Sequence, residues 1–196
     1  MDVSGTRIAV DRVLEDTLES LTRSGSPPVL PASELEDWGL SGPARSVLLA
    51  YGLPPERDDG LMGVAGEFQN RVLGRYGSAR IVAESNAVLA VPRSTAVHHD
   101  LAGLYPEGVT PTTVNSSVPA FVECAWRWHW IVPLLAEAQH TAGEAEIQAW
   151  KDGVELADAY LGYQQLCSDV LERFRAIDPA IDADTGFWSG VIIDLG

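Results

Sequence analysis

Few residues of this chain have the types and spacing that metal chemistry requires. His98, His99 and Asp100 form the one local cluster of metal-ligand types. Adjacent strand residues point to opposite faces, so both imidazoles could bind one ion only from an irregular loop. A solvated loop is therefore the favoured interpretation, and the sequence predicts no metal and no cofactor. These three residues are still the only nameable candidates for a hydrolase with a dispersed site.

Nucleophilic and acid–base chemistry also finds little support. The sequence has no GxSxG, GxxxxGK[ST] or HExxH motif. Ser116, Ser117 and His129 could join a distant aspartate in a triad, but a serine that caps a helix is a poor nucleophile. Two pairs of carboxylates are Asp58 with Asp59 and Glu144 with Glu146. Neither pair has the apolar surroundings that raise a carboxyl pKa, so both are interpreted as solvated surface charges. The sequence predicts a protein that is not an enzyme.

Charge is the most informative property of the composition. The 196 residues include 28 Asp and Glu against 13 Lys and Arg, a formal net charge of −15. Residues 1–60 carry 11 acids and 5 bases, and residues 141–196 carry 11 acids and 3 bases. Such a surface repels the phosphates of nucleic acid and attracts a basic protein. Simple solubility is the alternative explanation.

The remaining composition indicates one globular protein. Apolar residues make up 46% of the chain, which is ordinary for a folded domain. Cys124 and Cys167 lie in helical patterns without CxxC spacing and are interpreted as buried hydrophobes. The N-terminus has no apolar signal segment, and no apolar run reaches the length of a membrane span. The sequence therefore predicts a cytoplasmic protein that does not bind membranes.

Helical spacing of apolar residues appears near both ends of the chain, and short β-branched runs lie between. Helices are predicted over 6–23, between Ser41 and Gly52, from Ser116 or Ser117 onward, and after Gly153. Strands are predicted in RVLGRYG, SARIVAES and AVLAVPR (71–93), with a hairpin turn near Asn86 and a further edge strand within 95–113. Consecutive strands between helices predict an α+β fold with a short mixed or antiparallel β-sheet flanked by helices.

The proline-rich stretch 25–36 divides the chain. It contains Pro27, Pro28 and Pro31 and is interpreted as a loop or linker. The division that follows is an N-terminal helical extension over residues 1–30 and an α+β domain over residues 31–196. The closing segment DTGFWSGVIIDLG is too apolar for a free terminus, so it is expected to dock on the domain through Phe187, Trp188 and Ile192.

Three tryptophans within WRWHW (126–130) need an explanation. On a helix, Trp128 shares the core-facing stripe of Phe121, whereas Trp126 and Trp130 lie on the far side. On a strand, all three would share one face and could form a ligand platform; the serine cap favours the helix. Trp126 and Trp130 are therefore expected to be partly exposed and are candidate partner contacts. Pro133 removes one helical hydrogen bond and predicts a kink or break near residues 130–131.

Three segments occur in an order that matches a known family. They are LLAYGLP (48–54), VNSSVPAFVECAW (114–126) and IDPAIDADTGFWSGVI (177–192). Together they resemble the SUKH superfamily, in particular its fourth immunity-protein subfamily, over about residues 35–192. The matching positions are Gly52, Leu53, Pro54, Val114, Asn115, Ser116, Ser117, Phe121, Asp178, Pro179, Phe187 and Trp188.

The resemblance implies a SUKH-like α+β fold and a role in bacterial polymorphic toxin systems. Members bind and neutralise a cognate toxin domain that is encoded nearby, often a nuclease or a nucleic-acid deaminase. Such toxins tend to be basic because they hold nucleic acid, so the charge of −15 fits this role independently. An interaction or regulatory scaffold of the same fold is the alternative. Local charge excess nominates the partner-contact carboxylates, which are Glu56, Asp58, Asp59, Glu144 and Glu146.

Overall fold

The computed structural model describes residues 3–25, 32–36, 38–69, 72–84, 87–92, 110–154 and 158–193. Within these ranges, helices precede and follow one β-sheet, which packs against the helices Val118–Asp152 and Phe187–Ile193, so the predicted α+β class is confirmed. The helices are α1 (Val3–Glu15), α2 (Leu18–Gly25), α3 (Ala32–Glu36), α4 (Gly42–Tyr51), α5 (Val118–Asp152), α6 (Leu161–Ile177) and α7 (Phe187–Ile193). The strands are β1 (Val64–Gln69), β2 (Val72–Tyr76), β3 (Ala79–Glu84), β4 (Ala87–Val91) and β5 (Thr112–Asn115).

The sheet has strand order β1-β2-β3-β4-β5, and every neighbouring pair is antiparallel. The predicted hairpin is confirmed, because Glu84 at the end of β3 pairs with Ala87 at the start of β4. Strand β1 was not predicted. Its Gly66 lies opposite Gly74 of β2, and a Cβ on Gly74 would lie 2.3 Å from the carbonyl oxygen of Ala65. Glycine is required at this close approach of two backbones.

The N-terminal helix differs from its prediction. Residues 6–23 form two helices rather than one, with the break at Asp16 and Thr17. The Thr17 hydroxyl accepts a hydrogen bond from the backbone N–H of Ser20 at 3.2 Å, so it caps the start of α2. Helix α3 lies inside the stretch that was interpreted as a linker.

Helix α5 begins where the predicted serine cap places its start, and it ends at a glycine. Ser117 accepts from the backbone N–H of Ala120, and Gly153 takes the left-handed conformation at the other end. The helix runs through Pro133 for 35 residues, so the predicted break is absent. At about 1.5 Å per residue, it is roughly 50 Å long.

Helix α5 is the centre of the core. It packs against the sheet and against α1, α2, α4 and α6, and its Phe121, Trp128 and Ile131 are completely buried. Val10 and Leu14 of α1 belong to the same hydrophobic cluster. The boundary at residue 30 stays a prediction, but the described part of residues 1–30 packs on α5.

Candidate partner-binding surfaces

Two of the three segments that carry the family resemblance, 114–126 and 177–192, meet at one buried carboxylate, that of Asp178. Asp178 accepts hydrogen bonds from Ser116 N (2.7 Å), Ser116 Oγ (2.8 Å), Asn115 Nδ2 (3.0 Å) and Ala180 N (3.1 Å). The indole N–H of Trp188 donates to Asn115 Oδ1 at 3.0 Å. Burial raises the pKa of Asp178, but the hydrogen bonds from Ser116, Asn115 and Ala180 lower it by more. The net pKa therefore lies below the ordinary value, and the group is ionised.

The other resemblance positions are structural as well. The Gly52 carbonyl accepts from the indole N–H of Trp126 at 3.3 Å, and the Pro54 carbonyl accepts from Gly66 N at 3.0 Å. Leu53 is completely buried. Trp188 meets Phe174 and Phe187 edge to face at centroid distances of 4.9 and 5.2 Å. The expected docking of the C-terminal segment is confirmed, because Trp188 and Ile192 are completely buried.

The three tryptophans of WRWHW separate differently from the prediction. Trp128 is buried, as expected, and Trp130 is half-buried, with its indole N–H donating to the Leu21 carbonyl at 3.1 Å. The predicted exposure of Trp126 is wrong, because its side chain is completely buried. A Cβ on Gly25 would lie 2.2 Å from the Trp126 ring, so the end of α2 covers this face. Trp126 therefore cannot contact a partner in this conformation.

Arg127 is a buried structural residue that the sequence prediction missed. Its guanidinium donates to the carbonyls of Val13 (2.6 Å), Leu14 (3.0 Å) and Asp16 (3.1 Å) at the end of α1. It also pairs with Glu123 at 2.7 Å. A cation at these last carbonyls satisfies acceptors that a helix end leaves unpaired. The available signal was the spacing of four between Glu123 and Arg127.

The acidic loop, residues 56–59, carries three of the predicted contact carboxylates. Glu56 forms an ion pair with Arg75, and Asp59 forms one with Arg57, whose hydrogen bond lowers the pKa of Asp59 to about 2. Asp58 is exposed. Three carboxylates therefore share this surface with two arginines, which reduces the negative field that a partner would meet.

Arg57 also compensates for the proline within α5. Pro133 has no N–H to donate to the carbonyl of His129, four residues earlier, and Arg57 Nη1 donates to that carbonyl instead. Burial and the neighbouring guanidinium hold the pKa of His129 at about 4, so the imidazole is neutral at pH 7. The acidic loop is thus fixed to the middle of α5.

Glu144 and Glu146 lie at the far end of α5, where five consecutive residues, 144–148, are exposed. Glu144 lies 3.4 Å from His140. Beside them is an apolar group that the sequence prediction missed: Ile147 is 53% exposed, Trp150 82% and Val154 61%. A cavity of about 340 Å³ adjoins this group and is lined by Glu146, Ala149, Trp150, Val154, Asp158, Ala159 and Tyr160. We call Glu146, Ile147, Trp150, Val154 and Asp158 the distal surface.

The part of the chain that the structure describes contains neither a cluster of metal-ligand side chains nor a membrane-spanning helix. No group of three or more His, Cys, Asp or Glu side chains could hold an ion there. His98, His99 and Asp100 lie outside the described residues. None of the described helices has both the length and the apolar character of a membrane span.

An acidic α+β domain with carboxylates beside exposed apolar side chains has the features of a protein-binding module. The chain belongs to the SUKH-4 immunity protein family, whose model matches residues 13–194. The match begins within α1 and includes every described element from α2 to α7, so the resemblance drawn from three short segments is confirmed. Neither the comparison with curated proteins nor the comparison with solved structures found a significant match.

Proposed function

We propose that this protein is a non-catalytic, cytoplasmic immunity protein that binds a cognate toxin domain and neutralises it by covering its active site. The observation that carries the proposal is the match to the SUKH-4 immunity protein family over residues 13–194. The partner is a basic nuclease or nucleic-acid deaminase, and the protein itself binds neither nucleic acid nor membranes.

Electrostatics supports a basic partner. A toxin that acts on nucleic acid must hold phosphates with Lys and Arg side chains. A protein with a formal net charge of −15 attracts that same surface and competes with the nucleic acid for it. Long-range attraction of this kind raises association rates by about 10- to 1,000-fold, which favours capture of the toxin before it reaches its substrate.

The exposed carboxylates lie on separate parts of the molecule. Asp58 lies in the acidic loop, whereas Glu144 and Glu146 lie on the far part of α5. Charge reversal at one of these places will therefore identify the one that faces the toxin. Such charge reversals change the association rate more than the free energy of unfolding, because exposed ion pairs contribute little to stability.

The experiment is co-expression with the toxin domain encoded beside this gene. We expect growth to be restored and the two proteins to copurify. Raising the ionic strength from about 0.01 M to about 1 M shortens the Debye length from about 30 Å to about 3 Å. The association rate should then fall at least tenfold. Absence of both rescue and complex would refute the proposed function, and a salt-independent rate would refute its electrostatic basis.

A further inference from the structure

We propose that the distal surface is the docking site for a basic segment of the toxin domain, with an arginine side chain of the toxin stacked on Trp150. The partner's identity rests on the proposed function. The surface itself rests on the exposure, rigidity and charge of the last turns of α5.

The exposure of Trp150 has no structural explanation within the described residues. Ile147 and Trp150 are three residues apart on α5, a spacing that elsewhere in this helix marks a core-facing stripe, and Val154 follows just after the helix end. Here the three side chains are 53%, 82% and 61% exposed. A contiguous apolar group of this kind marks an interaction site, and tryptophan is the residue most enriched among binding hot spots.

The surface is held in place before any partner arrives. Gly153 adopts φ 67° after the last turn, its N–H donates to the Trp150 carbonyl, and the Val154 N–H donates to the Ala149 carbonyl. These two bonds form a Schellman motif, which fixes Val154 against the end of the helix. Asp158 is oriented by a hydrogen bond from Tyr160 N at 2.9 Å. A backbone that is already ordered loses little conformational entropy on binding, which increases affinity.

The charge beside Trp150 specifies a cation. Glu146 is one helical turn before Trp150, and Asp158 lines the same cavity of about 340 Å³. That volume is at the lower end of the range of about 300–1,000 Å³ for small-molecule sites, so it suits a side chain of a partner better than a cofactor. A guanidinium can stack on an indole and bind carboxylates at the same time, which an ammonium does less well.

The distal surface is a stronger candidate than the acidic loop. In the loop, Glu56 and Asp59 are already paired with arginines. No ion pair to Glu146 or Asp158 occurs among the described residues. Lys151, the nearest basic residue in sequence, lies four residues after Ile147 and borders this surface, but it does not line the cavity beside Trp150. A basic partner therefore meets fewer competing cations here.

The test measures binding of the purified toxin domain encoded by the adjacent gene. We expect Trp150→Ala to weaken the affinity at least about 30-fold, as hot-spot residues do. Trp150→Phe should weaken it less, and Glu146→Gln with Asp158→Asn should lower the affinity and flatten its salt dependence. The matched controls are Met62→Ala, an exposed apolar side chain elsewhere (54% exposed), and Glu172→Gln on α6. Both controls should stay within about threefold of the wild type.

A second measurement locates the contact directly. In protein labelled with 5-fluorotryptophan, the ¹⁹F resonance that Trp150→Phe removes should shift when the toxin domain is added, and the resonance of buried Trp128 should not. If the wild type binds the toxin and Trp150→Ala binds with an affinity within threefold of the wild type, this inference is overturned and the proposed function stands. No binding by the wild type would refute the proposed function itself. A dimer that Trp150→Ala dissociates, with toxin binding unchanged, would assign the surface to a second copy and also overturn the inference.

Discussion

Replacement of Arg127 by methionine is the sharpest test of how α1 is held on α5. Methionine keeps an unbranched stem of similar length, so packing is largely retained while the charge is removed. The change leaves the carbonyls of Val13, Leu14 and Asp16 without their donor. It also leaves Glu123 without its cation.

The magnitude follows from how deeply each partner is buried. Removing one partner of a buried ion pair costs about 3–5 kcal/mol. The Arg127 side chain is 3% exposed and that of Glu123 is 31% exposed, so water can solvate the abandoned carboxylate and moderate the loss. We therefore expect the free energy of unfolding to fall by about 3 kcal/mol. For a chain of this size, that corresponds to a decrease in Tm of roughly 10 °C.

Urea denaturation followed by circular dichroism measures the effect as a shift of the midpoint at constant slope. Arg173→Met on the exposed face of α6 is the matched control and should change stability by less than about 0.5 kcal/mol. In a double-mutant cycle with Glu123→Gln, the two changes should be non-additive by about 1 kcal/mol or more. If Arg127→Met is no more destabilising than Arg173→Met, the argument that Arg127 fastens α1 to α5 is wrong.

Two further stability predictions concern the contacts around α2 and Asp178. Gly25→Ala forces a methyl group to within 2.2 Å of the Trp126 ring. The free energy of unfolding, measured by urea denaturation, should fall by about 1–3 kcal/mol. The control is Gly190→Ala, whose Cβ meets no atom within 4 Å and which should be neutral or slightly stabilising. Because hydrogen bonds hold the folded pKa of Asp178 below the ordinary aspartate value, its contribution to stability is complete above that ordinary pKa and is lost as the pH falls through the folded pKa. Asp178→Asn should therefore cost about 2 kcal/mol at pH 7 and progressively less in acid, and an equal cost at pH 7 and pH 2 would contradict that role.

Local signals predicted the elements that local chemistry determines. The serine cap predicted at Ser116 or Ser117 and the β3–β4 hairpin depend on neighbouring residues only, and the structure confirms both, with Ser117 as the cap. Strand β1 has no such signal, since Gly66 interrupts its pattern. A Cβ on that glycine would lie 2.8 Å from the Phe68 ring and 3.2 Å from the Leu53 Cβ, and these contacts exist only in the folded structure.

The sequence predicted the negative charge of the candidate surfaces, but not which of their side chains are buried, paired or exposed. Burial of Trp126 depends on the end of α2, about one hundred residues earlier in the chain. The pairing of Glu56 with Arg75 likewise joins separate segments, so its effect on the acidic loop could not be derived from local charge. The exposure of Trp150 was missed because helical spacing predicts a stripe without saying whether another element covers it.

The structure of helix α5 has consequences for how the sequence of this protein can evolve. Its first half carries Phe121, Trp128 and Leu135, all completely buried, where almost any substitution costs folding free energy. Its last turns carry the exposed side chains 144–148 and Trp150, and substitutions at these exposed positions leave stability almost unchanged. One continuous helix therefore joins an invariable part to a freely variable one. A protein built in this way can acquire specificity for an altered partner through single substitutions, without passing through unfolded intermediates.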